Sequence, residues 1–283
     1  MGLLTDDVIL LEVLKKEKMM KPRNIKRRNR FVAMLDVMGT KSLIGQRQDK
    51  RIFDLMESIH TIEKEYSTND YVRMTFYSDS IILYTIDSCE KSYKSILYTS
   101  AHIVKFFLKQ GFGINGCISY GVCTCEYKDG KYITIGQPFV DAYLLQDDLW
   151  CYGVVLDEKA LKKIDKEGYN ADFCPFLLDS EIRLKIPTKK KGWTEISMIN
   201  WMEFLTPGEG DLSIQKDKAK KIILELYKRY SNVGRGAYYI QNTEIVLKQW
   251  YDFLAERNGF KEYSWGELLS KEYLTKCPYL SEL

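Results

Sequence analysis

Histidine and long apolar runs are what this sequence has least of. Its 283 residues include two histidines, His60 and His102, and both fall within stretches whose apolar residues have helical spacing. A zinc site on the Cys-x-Cys pair of GVCTCEY would lack a fourth ligand, so we interpret these cysteines as core or strand residues. No apolar run reaches the length of a membrane span. The N-terminus, MGLLTDDVILLEVLKK, has acidic residues where a signal peptide has its apolar region, so no signal peptide is expected.

A large excess of charge of one sign is also missing. The net charge of +3 is too small to favour binding to nucleic acid or to a membrane. The basic stretch KKEKMMKPRNIKRRNR is interpreted as a solvated arm, with a patch for an anionic partner as the alternative. The seven cysteines are odd in number and scattered, which favours reduced thiols in a cytoplasmic protein.

The periodicity of the apolar residues indicates a mixed sheet-and-helix protein. From Arg30 onward it predicts the order β-α-β-β-α-β-β-α-β, a sheet with helices on one face. RFVAMLD is predicted to be a buried strand, and YSD the turn of the hairpin that follows the first helix. We divide the chain into an N-terminal arm at residues 1–29, a core at 30–156 and an extension at 157–283 that packs on the core.

The extension has the less regular pattern. LKIPTKKKGW is expected to be an exposed loop and TEISMINWMEF a strand. Residues 215–258 are expected to form two helices.

The stretch FVAMLDVMGTKSL contains the most suggestive residues of the chain, and two kinds of site compete for it. Its GTKS resembles the end of a phosphate-binding P-loop, but that motif needs G-x-x-x-x-G-K-[ST]. Here Thr40 precedes the lysine and Leu35 stands five residues before Thr40, so two defining glycines are missing. The P-loop interpretation therefore fails.

A metal site is the second interpretation. Asp36 ends the first predicted strand, and Asp79 lies in the hairpin turn of FYSDSII. If the hairpin flanks the first strand, the two carboxylates converge at one edge of the sheet, where Mg²⁺ or Mn²⁺ could bind with a nucleotide phosphate. The alternative stays open, because aspartate is common in hairpin turns and at helix N-termini.

Element order and the two aspartates together resemble the class III nucleotidyl cyclase domain. MLDVMGTKSL takes the place of the family's first metal-binding motif, and FYSDSII that of the second. GINGCISYG and YITIGQPFVDAYLL resemble the strands and helix that follow. The resemblance covers about residues 30–156 and implies an α+β fold, with a ferredoxin-like β-α-β-β-α-β cyclase core and a helical C-terminal extension.

More narrowly, the motifs L-D-x-x-G-x-K-x-L, S-D-S-I and G-x-x-x-x-x-A-Y-x-L resemble the bacterial pyrimidine cyclases of the Pycsar anti-phage defence system. That resemblance implies conversion of UTP or CTP to cyclic UMP or cyclic CMP, which activates a cell-killing effector. It also implies a homodimer with its sites at the subunit interface, and no nucleic acid or membrane partner is expected.

The resemblance also implies roles for a short run of residues. Two Mn²⁺ or Mg²⁺ ions per site would be held by the catalytic residues Asp36 and Asp79, one of them also by the Val37 carbonyl. The nucleotide phosphates would meet four consecutive residues, by backbone amides and a lysine side chain: Met38, Gly39, Thr40 and Lys41. A solvated Lys41 on the first helical turn is the alternative for that side chain.

The sequence also departs from the family pattern. Thr75 and Ile133 stand where purine cyclases read the base, so purine-specific pairing is not expected. Val140 and Leu144 stand in place of the usual transition-state asparagine and arginine, and Asn115 where many relatives have a basic residue. The missing asparagine and arginine keep a catalytically inactive nucleotide-binding module open as an alternative. A purine cyclase with an unusual pocket and a structural or interaction protein, in which both aspartates are turn residues, are the others.

Overall fold

The computed structural model describes residues 27–66, 69–128, 131–169, 184–199, 201, 212–230 and 236–257. The expected N-terminal arm, residues 1–29, lies outside these ranges except for its last three residues. The strands of the described part are β1 (Arg28–Val37), β2 (Val72–Tyr77), β3 (Ser80–Thr85), β4 (Ile114–Lys128), β5 (Lys131–Gly136), β6 (Gly153–Leu156), β7 (Leu184–Thr188) and β8 (Gly192–Met198). Its helices are α1 (Thr40–Gly45), α2 (Asp49–Tyr66), α3 (Glu90–Lys109), α4 (Gln137–Asp148), α5 (Glu158–Glu167), α6 (Leu212–Tyr230) and α7 (Gly236–Arg257).

The order of strands in the sheet confirms the predicted fold class. The sheet runs β2-β3-β1-β4-β6-β8-β7, and β5 pairs with β4 as a hairpin. Strand β1 lies antiparallel between β3 and β4, and β2 forms a hairpin with β3. With helices between β1 and β2 and between β3 and β4, this is the ferredoxin-like β-α-β-β-α-β arrangement, followed by a largely helical C-terminal part.

The side chains of strand β1 point to two chemically different faces of the sheet. Because side chains alternate along a strand, Phe31 and Leu35 point to the helix-covered face, where both are buried in the main core. Burying a side chain of this size stabilises the fold by about 1.5–3 kcal/mol. The other face carries Val32 and Asp36, and Val32 packs there in a smaller cluster with Tyr84 and Cys123. The candidate site is therefore on the face opposite the main helices.

Helix α3 covers the first face, as its sequence pattern predicts. Its apolar residues recur at spacings of three and four, and Ile96, Val104 and Phe107 are fully inaccessible to solvent. This packing covers one face of β1 and β3, and Asp36 lies on the opposite face.

The prediction that LKIPTKKKGW is an exposed loop is wrong for its first half. Leu184–Thr188 is strand β7, and only the lysines after it form a turn before β8. Proline is tolerated here because β7 is at the end of the sheet, where Pro187 needs no amide for a further strand. Its carbonyl accepts a hydrogen bond from the Trp150 amide, at 2.9 Å.

The two helices expected over residues 215–258 are confirmed as α6 and α7. Thr243 of α7 receives a hydrogen bond from the amide of Tyr152, at 2.8 Å, so this helix contacts the residues just before β6. Within the described ranges, the helices fall short of the length and hydrophobicity needed to span a membrane.

Candidate functional site

Asp36 is at the end of β1, between the neighbouring strands. It lies opposite Ser80 of β3 and Asn115 of β4. The Ser80 hydroxyl donates a hydrogen bond to Asp36 Oδ1, at 3.1 Å. Asp36 is thus held on the face of the sheet opposite α3, at the edge where β1 ends and the loop before α1 begins.

Asp79 reaches the same edge from the β2–β3 hairpin. Ser78 and Asp79 form a two-residue turn, and Ser78 has the left-handed φ of 58°, which costs a non-glycine residue about 1 kcal/mol or more. The turn is fastened to β1, because the Val37 amide donates to the Asp79 carbonyl at 3.0 Å. The hairpin expected from the sequence therefore lies next to β1, and it brings Asp79 near Asp36.

The electrostatics of Asp36 reflect this proximity. The pKa of its carboxyl is raised from 3.8 to about 6, first by burial and next by the negative charge of Asp79, with a smaller contribution from Asp147. The Ser80 hydrogen bond and the positive charge of Lys189 act in the opposite direction. The groups that favour the charged form of Asp36 thus only partly offset its burial and its acidic neighbours.

This carboxylate pair fits a hard divalent cation that keeps other ligands. In the part of the chain that the structure describes, no three His, Cys, Asp or Glu side chains group as a complete metal site. Mg²⁺ typically takes one or two carboxylates and fills its remaining positions with water and phosphate oxygens. Asp36, Asp79 and the Val37 carbonyl are consistent with such a site. That carbonyl accepts a hydrogen bond from Thr40 Oγ1 at 2.8 Å, and a carbonyl oxygen has a second lone pair.

The loop after β1 differs in one respect from the expected phosphate cradle. The Met38 amide donates to the Gly113 carbonyl at 2.8 Å, so it is not available to a phosphate, contrary to expectation. Gly39 has a φ of 88°, and a Cβ there would lie 2.7 Å from Cε1 of the Tyr230 ring. Lys41 is exposed on α1. Gly39, Thr40 and Lys41 remain the predicted phosphate contacts.

Tyr230 is a residue of the extension that sequence reasoning did not connect with this loop. It is the last residue of α6 and is nearly buried. Arg51 of α2 donates to its hydroxyl at 3.2 Å and also lies over its ring, 5.2 Å from the centroid. The extension thus packs directly behind the loop that contains Gly39.

The side chain of Asn115 is engaged in hydrogen bonds within the protein and has a structural role. Its Oδ1 accepts from Gln146 Nε2 at 2.9 Å, and its Nδ2 donates to the Gln146 carbonyl at 3.4 Å. This pair fixes the C-terminal end of α4 beside the end of β1. The Asn115 amide is buried and both its groups are hydrogen-bonded, so it cannot supply the positive charge of the basic residue that many relatives have at this position.

The other residues that depart from the family pattern lie on β2, β5 and α4. Thr75 is partly buried on β2, while Ile133 on β5 is exposed. Val140 and Leu144, one turn apart on α4, are both about half exposed. These side chains offer no positive charge to a phosphate.

Comparisons with known proteins add a distant structural likeness. No family model matches the chain, and no curated protein does either. Solved structures with a similar arrangement are class III cyclase domains. One is the catalytic core of a rhodopsin-guanylyl cyclase with converted specificity, in complex with ATPαS (14% identity, 62% of this chain and 97% of that chain, TM-score 0.40). Another is the adenylyl cyclase CyaB from P. aeruginosa (14% identity, 62% of this chain and 94% of that chain, TM-score 0.38). The likeness is too distant to assign an activity, so the function is inferred from the chain's own residues.

The raised pKa of Asp36 predicts a gain in stability when its charge is removed. The folded protein binds more protons than the unfolded chain between about pH 4 and 6, so Asp36 lowers stability as the pH rises through this range. The shift corresponds to about 3 kcal/mol, and screening of this partly exposed carboxyl reduces it to about 1–2 kcal/mol. Asp36→Asn should therefore raise the Tm of the metal-free protein by roughly 2–6 °C at pH 8.

Thermal unfolding of both proteins in chelator, from pH 4 to pH 8, measures this effect. The difference in Tm should be small at pH 4 and reach its full size above pH 6, because asparagine does not titrate. A variant that is equally or less stable than the wild type at pH 8 would contradict the assignment of Asp36 as an unfavourably buried charge.

Proposed function

We propose that this chain is a metal-dependent pyrimidine nucleotide cyclase that converts UTP or CTP to the 3′,5′-cyclic nucleotide and pyrophosphate. The observation that carries the proposal is the convergence of Asp36 and Asp79 at one edge of a ferredoxin-like sheet, with the pKa of Asp36 raised by burial and by its neighbour. Carboxylates placed in this way favour a bound cation, and a bound cation favours a triphosphate substrate.

The residues have distinct tasks in this reaction. Asp36, Asp79 and the Val37 carbonyl would hold two Mn²⁺ or Mg²⁺ ions. When bound, such ions lower the pKa of the ribose 3′-hydroxyl and neutralise charge on the triphosphate. Gly39 and Thr40 contact the β- and γ-phosphates, and Lys41 adds a positive charge. The 3′-oxygen attacks the α-phosphorus in line, its proton leaves to solvent, and the bond to pyrophosphate breaks.

The preference for a pyrimidine is supported by what the base-reading positions lack. A purine is recognised through side chains that hydrogen-bond its edge, and Thr75 and Ile133 do not supply the lysine and aspartate of the purine cyclases. The role of the cyclic product as a messenger for an anti-phage effector in the cytoplasm rests on the Pycsar resemblance alone.

A homodimer is part of the proposal, and a second copy of this chain would cover an exposed apolar surface. Five large apolar side chains on β5 and α4 are between 44% and 68% exposed: Ile133, Ile135, Val140, Tyr143 and Leu144. Clustered exposure of this kind marks interaction sites. The surface includes the positions at which the family pattern places base-reading and transition-state residues, which agrees with sites at a subunit interface.

The test is incubation of the purified protein with Mn²⁺ and each of ATP, GTP, CTP and UTP, followed by chromatography with mass detection. Cyclic UMP or cyclic CMP is the expected product. A cyclic purine product would replace the pyrimidine assignment, and no product with any triphosphate would reject the enzyme.

A catalytically inactive nucleotide-binding module is the second candidate. It is favoured by Val140 and Leu144, since α4 presents apolar side chains where the family pattern has an asparagine and an arginine. This candidate requires metal-dependent triphosphate binding, measured by calorimetry, with no cyclic product after prolonged incubation.

A further inference from the structure

Two cysteines of β4 lie side by side as a dithiol. Cys123 and Cys125 are two residues apart on the strand, so their side chains project from the same face of the sheet. Their Sγ atoms are 3.8 Å apart, within hydrogen-bond distance for sulfur. Cys123 is buried with Val32 and Tyr84, and Cys125 is partly buried beside this cluster. The two thiols are therefore close enough to share one ligand.

The dithiol borders a cavity of about 1130 Å³ on that face of the sheet. Gly136 of β5 lies opposite Cys123, and a Cβ there would be 2.5 Å from Cys123 Cβ. Glycine thus permits the close approach of the two strands at the dithiol. Cys125 lines the cavity and is partly exposed, so a small ion can reach the sulfur atoms from solvent.

Arg30 of β1 places a buried positive charge next to the dithiol. Arg30 is 8% exposed and lines the same cavity. Its Nη1 donates to the Thr85 carbonyl at 2.6 Å, and its buried Nε has no hydrogen-bond partner among the described residues. The charge of Arg30 acts on both thiols. A buried cation with an unused donor favours an anion in the cavity.

The hydrogen bond between the thiols prepares one of them to bind a metal. The pKa of Cys123 is lowered by this hydrogen bond and also by the charge of Arg30, while burial acts in the opposite direction. The pKa of Cys125 is raised, first because its proton is held in the same hydrogen bond. Thiolate, and not thiol, is the form of cysteine that binds metals.

The geometry disfavours a disulfide and a zinc ion at the dithiol. Cα atoms two residues apart on a strand are separated by about 6.7 Å, near the upper limit for a disulfide, so that bond would bend β4. Structural zinc takes four protein ligands, and the part of the chain that the structure describes groups no three His, Cys, Asp or Glu side chains for a metal. Two thiolates alone suit a soft monovalent ion such as Cu⁺.

The charges around the cavity favour the same ion. When Cu⁺ binds, both thiols lose their protons to solvent, and the bis-thiolate complex carries one negative charge that the Arg30 guanidinium compensates. Arg27, Arg28 and Arg73 also line the cavity. These side chains disfavour free divalent cations and attract the anionic thiolate complexes in which Cu⁺ travels, so the ion can transfer by exchange of thiolates.

We propose that Cys123 and Cys125 form a binding site for a soft monovalent metal ion of the Cu⁺ class, with Arg30 as the compensating charge. The site is separate from the carboxylate site, because Cys123 is eight residues along β4 from Asn115, which lies opposite Asp36. At about 3.3 Å per residue, this separation is about 26 Å. The inference is therefore independent of the proposed function.

The test is a competition for Cu⁺ between the full-length protein and the chromogenic chelator bicinchoninate, without oxygen and with ascorbate as a thiol-free reductant. The variants are Cys123→Ala, Cys125→Ala, Arg30→Met and Arg30→Lys. Cys89→Ala is the matched control, because the Cys89 thiol is exposed at the start of α3. Cys125→Ala alters a partly exposed side chain, so it remains informative if the buried Cys123 is needed for folding.

The tightest equivalent of Cu⁺ should bind at the dithiol, and X-ray absorption at the copper edge should show two sulfur neighbours. Loss of an outer-shell partner typically weakens metal binding about 10- to 100-fold, which is the effect expected for Arg30→Met. Loss of either thiol removes a direct ligand, so both cysteine variants should be weakened more than about 100-fold. Arg30→Lys and Cys89→Ala should stay within a few-fold of the wild type.

Three results would overturn the inference. If folded Cys125→Ala competes as well as the wild type, or if the wild type does not compete at all, the two thiols are strand residues only. If Cys89→Ala weakens binding as much as Cys125→Ala, the dithiol alone does not hold the ion. If Zn²⁺ displaces Cu⁺ on equal terms, the charge of the cavity does not select a monovalent ion.

Discussion

Replacing Asp36 with asparagine is expected to lower the rate of cyclic nucleotide formation about 1000-fold or more, which corresponds to about 4 kcal/mol of lost transition-state stabilisation. Asparagine keeps the shape of the side chain and an oxygen that can accept the Ser80 hydrogen bond, but it loses the negative charge that binds a divalent cation. Asp79→Asn should have a similar effect. Its backbone carbonyl, which receives the Val37 amide, is unchanged by the substitution.

The measurement is the initial rate with Mn²⁺ and whichever pyrimidine triphosphate the wild type converts. Asp54→Asn on the exposed surface of α2 is the control, because it removes one carboxylate away from the site and should leave the rate within a few-fold of the wild type. Loss of activity combined with the higher Tm expected for Asp36→Asn separates a functional defect from unfolding. A variant of Asp36 or Asp79 that retains wild-type activity would reject the metal site.

Replacing Gly39 with alanine is expected to lower the free energy of unfolding by about 2–4 kcal/mol. A φ of 88° disfavours any residue with a Cβ by about 1–2 kcal/mol. The new methyl group would also lie 2.7 Å from the Tyr230 ring, which is nearly buried and held by Arg51. A fall in Tm of roughly 5–15 °C follows for a chain of this size.

Thermal unfolding of Gly39→Ala and Gly45→Ala provides the comparison. Gly45 ends α1, and a methyl group added there would meet no atom within 4 Å, so alanine should be neutral or slightly stabilising. A double-mutant cycle with Tyr230→Leu separates the two contributions to the loss of stability. Removal of the ring should abolish the loss that arises from the contact and leave the loss that arises from the φ of Gly39. Equal Tm values for the two glycine variants would contradict the geometry of this loop.

The core of the fold could be predicted because its signals are local. The apolar run of β1 and the helical spacing in α3 are each contained within one element, and the β2–β3 turn is only two residues long. The order of these elements, together with their resemblance to a known domain, was enough to give the ferredoxin-like arrangement. The position of Asp36 opposite Ser80 then follows from strand pairing.

The remaining features depend on contacts between residues that are distant in sequence. Pro187 and the following lysines indicate a loop, and only the position of β7 at the end of the sheet makes a strand compatible with them. Asp147 lies near the end of an ordinary helical pattern, and no sequence pattern relates it to Lys189 or to Asp36. The hydrogen bond from the Met38 amide to the Gly113 carbonyl likewise depends on the register between β1 and β4. The roles of Asp36, Asp79, Val37, Gly39, Thr40 and Lys41 in a nucleotide site stay predictions.

The Tyr230 ring behind Gly39 also sets an order of events during translation. Asp36 leaves the ribosome about 190 residues before Tyr230. At about 5–20 residues per second, the loop therefore waits roughly 10–40 s for the side chain that packs behind it. A nascent or prematurely terminated chain has both aspartates but not this support. Until synthesis has passed Tyr230, the loop at Gly39 lacks the ring that packs behind it in the folded protein.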